Sequence, residues 1–361
     1  MKIFELSASD FMLFQDLRLR FSDHINIILG DNSTGKTALL KLLYAQQAVL
    51  SKCSRNGKEF SKEEYERLLV QKLIGVFKPD NDSIGRLAYR KQGVSKASVS
   101  MKFSDVDGTS FAFTSKHSNH IDILVTPNPS AHTQFTPVYI PPKEIISSAG
   151  NFPPLYEEYK IGFDETYYDL AKLLLWPLRR GPYLESQKEI LRSFEDIMQG
   201  TVVQQDNKFY LKMKRNGTEK GNFEMGLVSE GYRKLSTLMY LVLSGGLSDN
   251  SILFWDEPES NMNPKMIYPV AKAIMQLSKM GVQVFITTHS YFVQQAFNIT
   301  ANYPDPKSDP LNIKFHSLYR NDNDKICAES ATNLSGIQHN AILEEFDELY
   351  DREQRLIDGE Y

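Results

Sequence analysis

The chain has 361 residues, 41% of them hydrophobic and 24% charged, enough for one large α/β domain with an insertion or for two small domains. Its formal net charge of −4 gives no global basic field for nucleic acid, and no run of about 18 apolar residues is present that would cross a membrane. Cys53 and Cys327 stand far apart without metal-ligand spacing, and no apolar leader follows Met1; a disulfide framework or zinc site is not expected, and a cytoplasmic setting is.

In chain order, residues 3–6 and 17–21 alternate apolar and polar side chains and predict two antiparallel strands. Residues 25–29 form a short β-rich run that meets Gly30, the pattern of a buried strand entering a turn. From 38 to 50 the apolar residues recur at helical spacing, and 51–70 is polar and rich in Lys and Glu, predicting a solvated helix and loop. Alternation returns from 97 to 125, with Asp107-Gly108 as a hairpin turn. Residues 138–140 predict another strand, stopped by Pro141-Pro142.

Residues 164–198 read as helix broken at Pro177 and at Gly181-Pro182, and 201–205 with 208–212 as a hairpin about Asp206-Asn207. Runs at 252–255 and 282–287 have the character of buried strands, separated by a helix over 265–280. One more strand is predicted at 313–319. The tail from 341 to 356 predicts an acidic amphipathic helix with Ile342, Phe346, Leu349 and Tyr350 on one face. No heptad pattern is sustained between Lys36 and Ser229, so a long coiled-coil arm is not expected.

Gly30-Asp31-Asn32-Ser33-Thr34-Gly35-Lys36-Thr37 satisfies the phosphate-loop pattern G-x-x-x-x-G-K-[ST]. Its glycines let the backbone curl so that the N–H groups through Asn32, Ser33 and Thr34 point at phosphate oxygens, and the helix that follows presents its positive end to the same anion. Lys36 is placed to reach the β- and γ-phosphates and Thr37 to bind Mg²⁺. Residues 251–258, S-I-L-F-W-D-E-P, deliver two carboxylates at a strand end: Asp256 as a candidate Mg²⁺ partner, and Glu257 as a candidate general base.

Leu227-Val228-Ser229-Glu230-Gly231-Tyr232-Arg233-Lys234 resembles the ABC signature motif in the Ser-Glu-Gly form of SMC-like and defence-associated AAA family ATPases. It departs from the transporter form, Leu-Ser-Gly-Gly-Gln, at Glu230 and beyond. Glu259-Ser260-Asn261-Met262-Asn263-Pro264 resembles the D-loop, and His289 in Phe285-Ile286-Thr287-Thr288-His289-Ser290 resembles the switch histidine. The run from Pro137 to Glu144 lies where the family has its Q-loop but holds no glutamine, which leaves Lys143, Glu144 or a purely structural role. Phe11, Phe14 and Arg18 lie where such heads contact adenine, though packing is the commoner role of such residues.

The resemblance implies an α/β fold, a P-loop NTPase head of the ABC type with a mixed sheet, flanking helices and a helical lid insertion. The implied division is 1–135 for the first part of the head, 136–225 for the lid and 226–361 for the rest. It also implies ATP and Mg²⁺ as ligands and hydrolysis by residues that include Glu257 and His289. A homodimer or higher oligomer follows, in which Ser229, Glu230 and Gly231 of one head complete the site of the other. The same resemblance points to a separate effector, a nuclease or toxin, in anti-phage or toxin–antitoxin-like defence; a DNA-repair ATPase of RecF type is the alternative. The 70 or so residues after His289 are too few for a nuclease domain, so Asp322 and Asp324 read as turn residues.

Overall fold

The computed structural model describes residues 1–55, 61–104, 107–126, 134–159, 161–215, 218–303 and 309–358. Part of the polar stretch at 51–70 lies outside them.

Among the described residues the chain opens with β1 (Ile3–Phe11), β2 (Phe14–Arg20) and β3 (Ile25–Gly30), then α1 (Lys36–Arg55) and α2 (Lys62–Phe77). Next come β4 (Lys96–Phe103), β5 (Thr109–Thr114), β6 (Asp122–Val125) and β7 (Thr136–Ile140). An insertion follows: α3 (Phe152–Glu158), α4 (Glu165–Leu174), α5 (Glu185–Met198), β8 (Gly200–Gln205), β9 (Lys208–Arg215) and β10 (Thr218–Glu224). The last part holds α6 (Glu230–Ser244), β11 (Ser251–Asp256), α7 (Pro264–Lys279), β12 (Gln283–Thr287) and α8 (Tyr291–Asn302). It closes with β13 (Ile313–Arg320), β14 (Ile326–Ala331) and α9 (Ala341–Ile357).

A six-stranded sheet in the order β14-β13-β3-β12-β11-β7 forms the centre, parallel except for β14. It separates two hydrophobic cores. Alternate residues of each central strand feed opposite sides: Leu253 and Trp255 of β11 face one core, Ile252 and Phe254 the other. That two-sided burial explains why these strands are apolar throughout rather than alternating. An antiparallel sheet, β2-β1-β4-β5-β6, covers one core together with α1 and α2, and the insertion with α6, α7 and α8 covers the other.

Two sequence expectations are corrected. The polar stretch after α1 is not simply solvated: α2 buries Tyr65, Leu68, Leu69 and Leu73 against the first core, because the apolar residues between its charges fall on one helical face. The boundary at 135 falls too early, since β7 pairs in parallel with β11 from Thr136 to Ile140 and belongs to the central sheet. Pro137 is tolerated there because β7 is the edge strand. Within the insertion the helices are followed by the hairpin expected about Asp206-Asn207, β8 paired with β9, to which β10 adds a third antiparallel strand.

Candidate functional site

The phosphate loop joins the buried strand β3 to α1, and two glycines make its path possible. Gly30 has φ 141°, and a Cβ there would lie 2.3 Å from the Leu318 carbonyl oxygen. Gly35 has φ 95°, and its Cβ would lie 2.7 Å from the Phe14 ring. Only a residue without a side chain fits either position. Both Phe14, which packs beneath the loop, and Phe11, which packs against Phe77 and Phe113, are wholly buried and offer no face to a base. Arg18 is exposed and reaches Ser7. Leu13, in the turn between β1 and β2, is the exposed side chain beside Gly35.

Lys36 is almost fully buried, and its ammonium donates to the carbonyl oxygens of Gly30 and Asp31 at 2.7 and 2.8 Å. Burial pushes its pKa down, opposed by Glu257, Asp31, Asp256 and Glu259. A cation held inside a curled loop by backbone oxygens alone is well prepared to exchange them for phosphate oxygens.

Asp256 stands fully buried at the end of β11. Oδ1 accepts from Thr37 Oγ1 at 3.1 Å and from Thr287 Oγ1, and Oδ2 accepts from Tyr139 OH at 3.0 Å. Burial raises its pKa, and the hydrogen bonds from Thr287, Tyr139 and Thr37 oppose that shift. Three strand ends and the first turn of α1 thus converge on one carboxylate. With the exposed Thr37 hydroxyl, that carboxylate makes an oxygen-rich corner that fits Mg²⁺, a hard cation favouring oxygen ligands.

Glu257 follows in the left-handed region, φ 48°, a conformation that costs a side-chain-bearing residue on the order of 1–3 kcal/mol. Its N–H donates to the Thr287 carbonyl at 3.1 Å and to Thr287 Oγ1 at 3.2 Å, which holds the turn. The carboxylate faces the His289 ring, with Oε1 3.3 Å from Nδ1, and accepts from Ser260 Oγ at 3.3 Å. Glu259 positions the same histidine from below: its Oε1 accepts from Thr288 Oγ1 at 2.6 Å and from the His289 N–H at 3.0 Å.

Ser229 occupies the N-cap position of α6, but its hydroxyl makes no capping bond and the residue is exposed. Helix capping therefore does not account for it. The rest of the signature segment is tied to the D-loop of its own chain. Lys234 is buried and donates to the carbonyls of Ser260 at 2.8 Å and Glu257 at 3.4 Å. Asn261 Nδ2 donates to Glu230 Oε2 at 2.9 Å, and Gly231 lies against Met262 and Met266. Burial lowers the Lys234 pKa, against the pull of Glu230, Glu259, Glu257 and Asp256.

The structure thus gathers Gly30 to Thr37, Asp256, Glu257 and His289 around one corner of the central sheet. Neither cleft beside the phosphate loop is lined by any residue of 227–233. In the proline-rich run, Glu144 turns to Arg233 of α6 and to Ser147 instead of to the Asp256 corner. Asp324 sits in the β13–β14 turn at φ 57° and pairs with Arg320, in keeping with a turn role. Among the described residues no group of three or more His, Cys, Asp or Glu residues is arranged to hold a metal.

Sequence reasoning did not single out Tyr139, Thr287, Lys234 or Arg320. Thr287 and Tyr139 stood inside strands already predicted, and polar residues ending apolar runs were the available signal. Lys234 could have been found as a lysine on the apolar face of α6. Arg320, which props the Ser33 carbonyl at 3.2 Å, is brought there only by sheet pairing, and nothing local marks it.

Residues 25–293 match the family model described as "AAA domain, putative AbiEii toxin, Type IV TA system". A 70-residue stretch is 31% identical to the DNA replication and repair protein RecF of Bacillus cytotoxicus; it spans 19% of this chain and 19% of that protein. Among solved structures, an SMC head bound to the C-winged helix domain of ScpA is similar over 91% of this chain and 98% of its own, with TM-score 0.51 and 12% identity. An SMC head from Pyrococcus furiosus, bound to the C-terminal domain of ScpA, gives TM-score 0.49 and 13% identity, covering 98% of this chain and 99% of its own. No described helix is long and apolar enough to cross a membrane. With the family model matching residues 25–293, this protein belongs to the AAA-domain family of AbiEii-like type, and it has the fold of an SMC head.

Proposed function

We propose that the chain hydrolyses ATP at sites that form only between two heads, and that the nucleotide state of the pair governs a separate effector. The observation that carries this reading is the mismatch within one chain. A complete cradle of Lys36, Thr37, Asp256, Glu257 and His289 has no signature residue lining its clefts, while Ser229 stands exposed with its hydroxyl uncapped. A second copy supplies the missing half by symmetry.

In this reading Lys36 and the loop N–H groups hold the phosphates. Mg²⁺, held by Thr37 and Asp256, would neutralise charge on the β- and γ-oxygens. Glu257 orients a water for in-line attack on the γ-phosphorus and takes its proton as the bond to the bridging oxygen breaks, leaving ADP and phosphate. His289 meets the departing phosphate, and Ser229, Glu230 and Gly231 of the partner close the cage. Because α6 is tied to the D-loop, both segments engage the opposite head together.

The decisive experiment is Glu257→Gln. ATP binding should persist, turnover should fall by roughly a hundredfold or more, and a dimer should accumulate with ATP and Mg²⁺ in light scattering. Turnover at the level of the unaltered chain would remove Glu257 as the base.

The family match supports a role in anti-phage or toxin–antitoxin-like defence, with a nuclease or toxin as effector and the cytoplasm as its setting. The RecF match supports a second reading, a repair ATPase acting on DNA. Turnover stimulated by DNA without any partner protein favours the second; co-purification with a neighbouring gene product, dependent on ATP, favours the first.

A further inference from the structure

Helix α9 runs 17 residues and buries none of them. Phe346, Leu349, Tyr350, Leu356 and Ile357 are each at least half exposed, on a helix whose N-terminal turns flank the phosphate loop. The cleft between them, about 360 Å³, has Gly30, Asp31, Asn32 and His289 on one side and Ala341, Ile342, Phe346 and Leu349, with the one carboxylate of Glu345, on the other. A nucleotide site thus has an apolar wall that the chemistry of phosphate transfer does not call for. The helix is also acidic, with six carboxylates between Glu344 and Glu353 against only Arg352 and Arg355.

The surface that would meet this wall is present on the same molecule. Leu227, two residues before Ser229, is 77% exposed, the largest exposure among the hydrophobic side chains near the signature. Two residues of chain reach about 7 Å, so a Ser229 seated at a phosphate loop carries Leu227 to the rim of the site. Just upstream, the β9–β10 hairpin bears Lys208, Lys212, Lys214 and Lys220 against Glu219 and Glu224, opposite in sign to α9.

We propose that α9 is the docking shelf for the partner head: Leu227 of one copy inserts between Phe346 and Leu349 of the other, with the basic hairpin lying along the acidic face. The inference rests on the head-to-head reading above and adds to it a contact outside the nucleotide cage. Apolar groups packed at the centre and opposite charges at the rim are the normal anatomy of a specific interface. Because two copies are related by a twofold axis, the contact is made twice and each cleft is closed by its neighbour.

The test is an ATP-dependent disulfide. In a chain with Cys53→Ala and Cys327→Ser, the pair Leu227→Cys and Leu349→Cys should cross-link between copies when adenylyl-imidodiphosphate and Mg²⁺ are added, and not without them. The bond forms only if the two Cα atoms come within about 7 Å. Separately, Leu227→Asp should weaken nucleotide-dependent dimerisation by about tenfold or more while leaving nucleotide binding by the single head intact. Raising NaCl from about 50 to about 500 mM should weaken it further. Both leucines are exposed, but Cys53 is buried, so circular dichroism must first show the cysteine-free parent folded like the unaltered chain. A dimer that forms in light scattering without the cross-link, and is indifferent to Leu227→Asp, overturns the shelf and leaves the composite site standing. Failure of the cysteine-free parent to dimerise at all overturns the head-to-head reading and the shelf with it.

Discussion

Arg233 Nη1 on the signature helix lies 2.6 Å from Glu144 Oε1, just beyond the point where the chain leaves the central sheet after β7. Earlier in the same segment, Tyr139 of β7 donates to Asp256 Oδ2 at the end of β11. One short stretch of chain therefore touches both the Asp256 carboxylate and the helix that would engage a partner. Removing one member of the partly buried Arg233–Glu144 pair leaves the other charge short of a counterion. Glu144→Ala should cost about 1–3 kcal/mol in urea unfolding. It should also weaken ATP-dependent pairing more than ATP binding. Equal losses in the two measurements would make the pair merely structural.

Tyr139→Phe tests the other end of the same segment. The substitution keeps the ring against Tyr44, 5.3 Å away, and deletes one donor to Asp256. A stability loss of about 1 kcal/mol is expected, with a severalfold increase in the Mg²⁺ concentration needed for half-maximal turnover. Magnesium titration at saturating ATP measures it; an unchanged requirement would show that Tyr139 only fills space.

The composite site makes a prediction about mixtures. Lys36→Ala removes the cradle of a head, and Ser229→Arg removes what it offers its partner, so each variant alone should be inactive. Mixed, about half of randomly formed dimers pair one of each, and every such dimer keeps one intact site of two. Activity should return to about a quarter of the unaltered level. Sites confined to single chains would leave Ser229→Arg active by itself and show no gain on mixing.

Much of this was legible in the sequence because the reacting groups lie within short motifs. The phosphate loop must be contiguous to wrap one phosphate chain, and Asp256-Glu257 must follow an apolar strand to stand at a sheet edge. What escaped was carried by distance. Lys234, Thr287 and Arg320 act through backbone carbonyls or carboxylates that only the tertiary fold brings near, and a polar residue in an apolar run does not announce its partner. Of the residues placed where such heads contact adenine, Phe11 and Phe14 take the commoner packing role, because the hairpin turns both inward.

Gly30→Ala should abolish nucleotide binding. Its Cβ would press on the Leu318 carbonyl at 2.3 Å and the Thr34 hydroxyl at 2.9 Å, in a backbone conformation that side chains resist. A stability loss of about 1–3 kcal/mol should accompany it in thermal unfolding. Normal ATP affinity in this variant would show the loop to be more yielding than its geometry indicates.

His316 sets an acid limit on the fold. It is fully buried between Ser330 Oγ, 2.7 Å from Nδ1, and Asn26 Oδ1, 3.2 Å from Nε2. Burial, with Lys314 adding a like charge, pushes its pKa down to about 3. The unfolded chain binds a proton at about pH 6.5 that the folded chain refuses, so stability is full above that pH and falls below it. The slope is about 1.4 kcal/mol per pH unit until the folded pKa is reached. Urea midpoints between about pH 7 and about pH 5 should show this, and His316→Gln should flatten the dependence.

The strand that carries the phosphate loop, β3, lies between β12 and β13, with Ile25 opposite both Val284 and Ile313. Its hydrogen-bonding neighbours thus stand near the far end of the sequence. During translation the loop leaves the ribosome early but waits for most of the polypeptide before its supporting strands exist. A growing chain therefore carries no finished phosphate cradle until β12 and β13 have been made to flank β3.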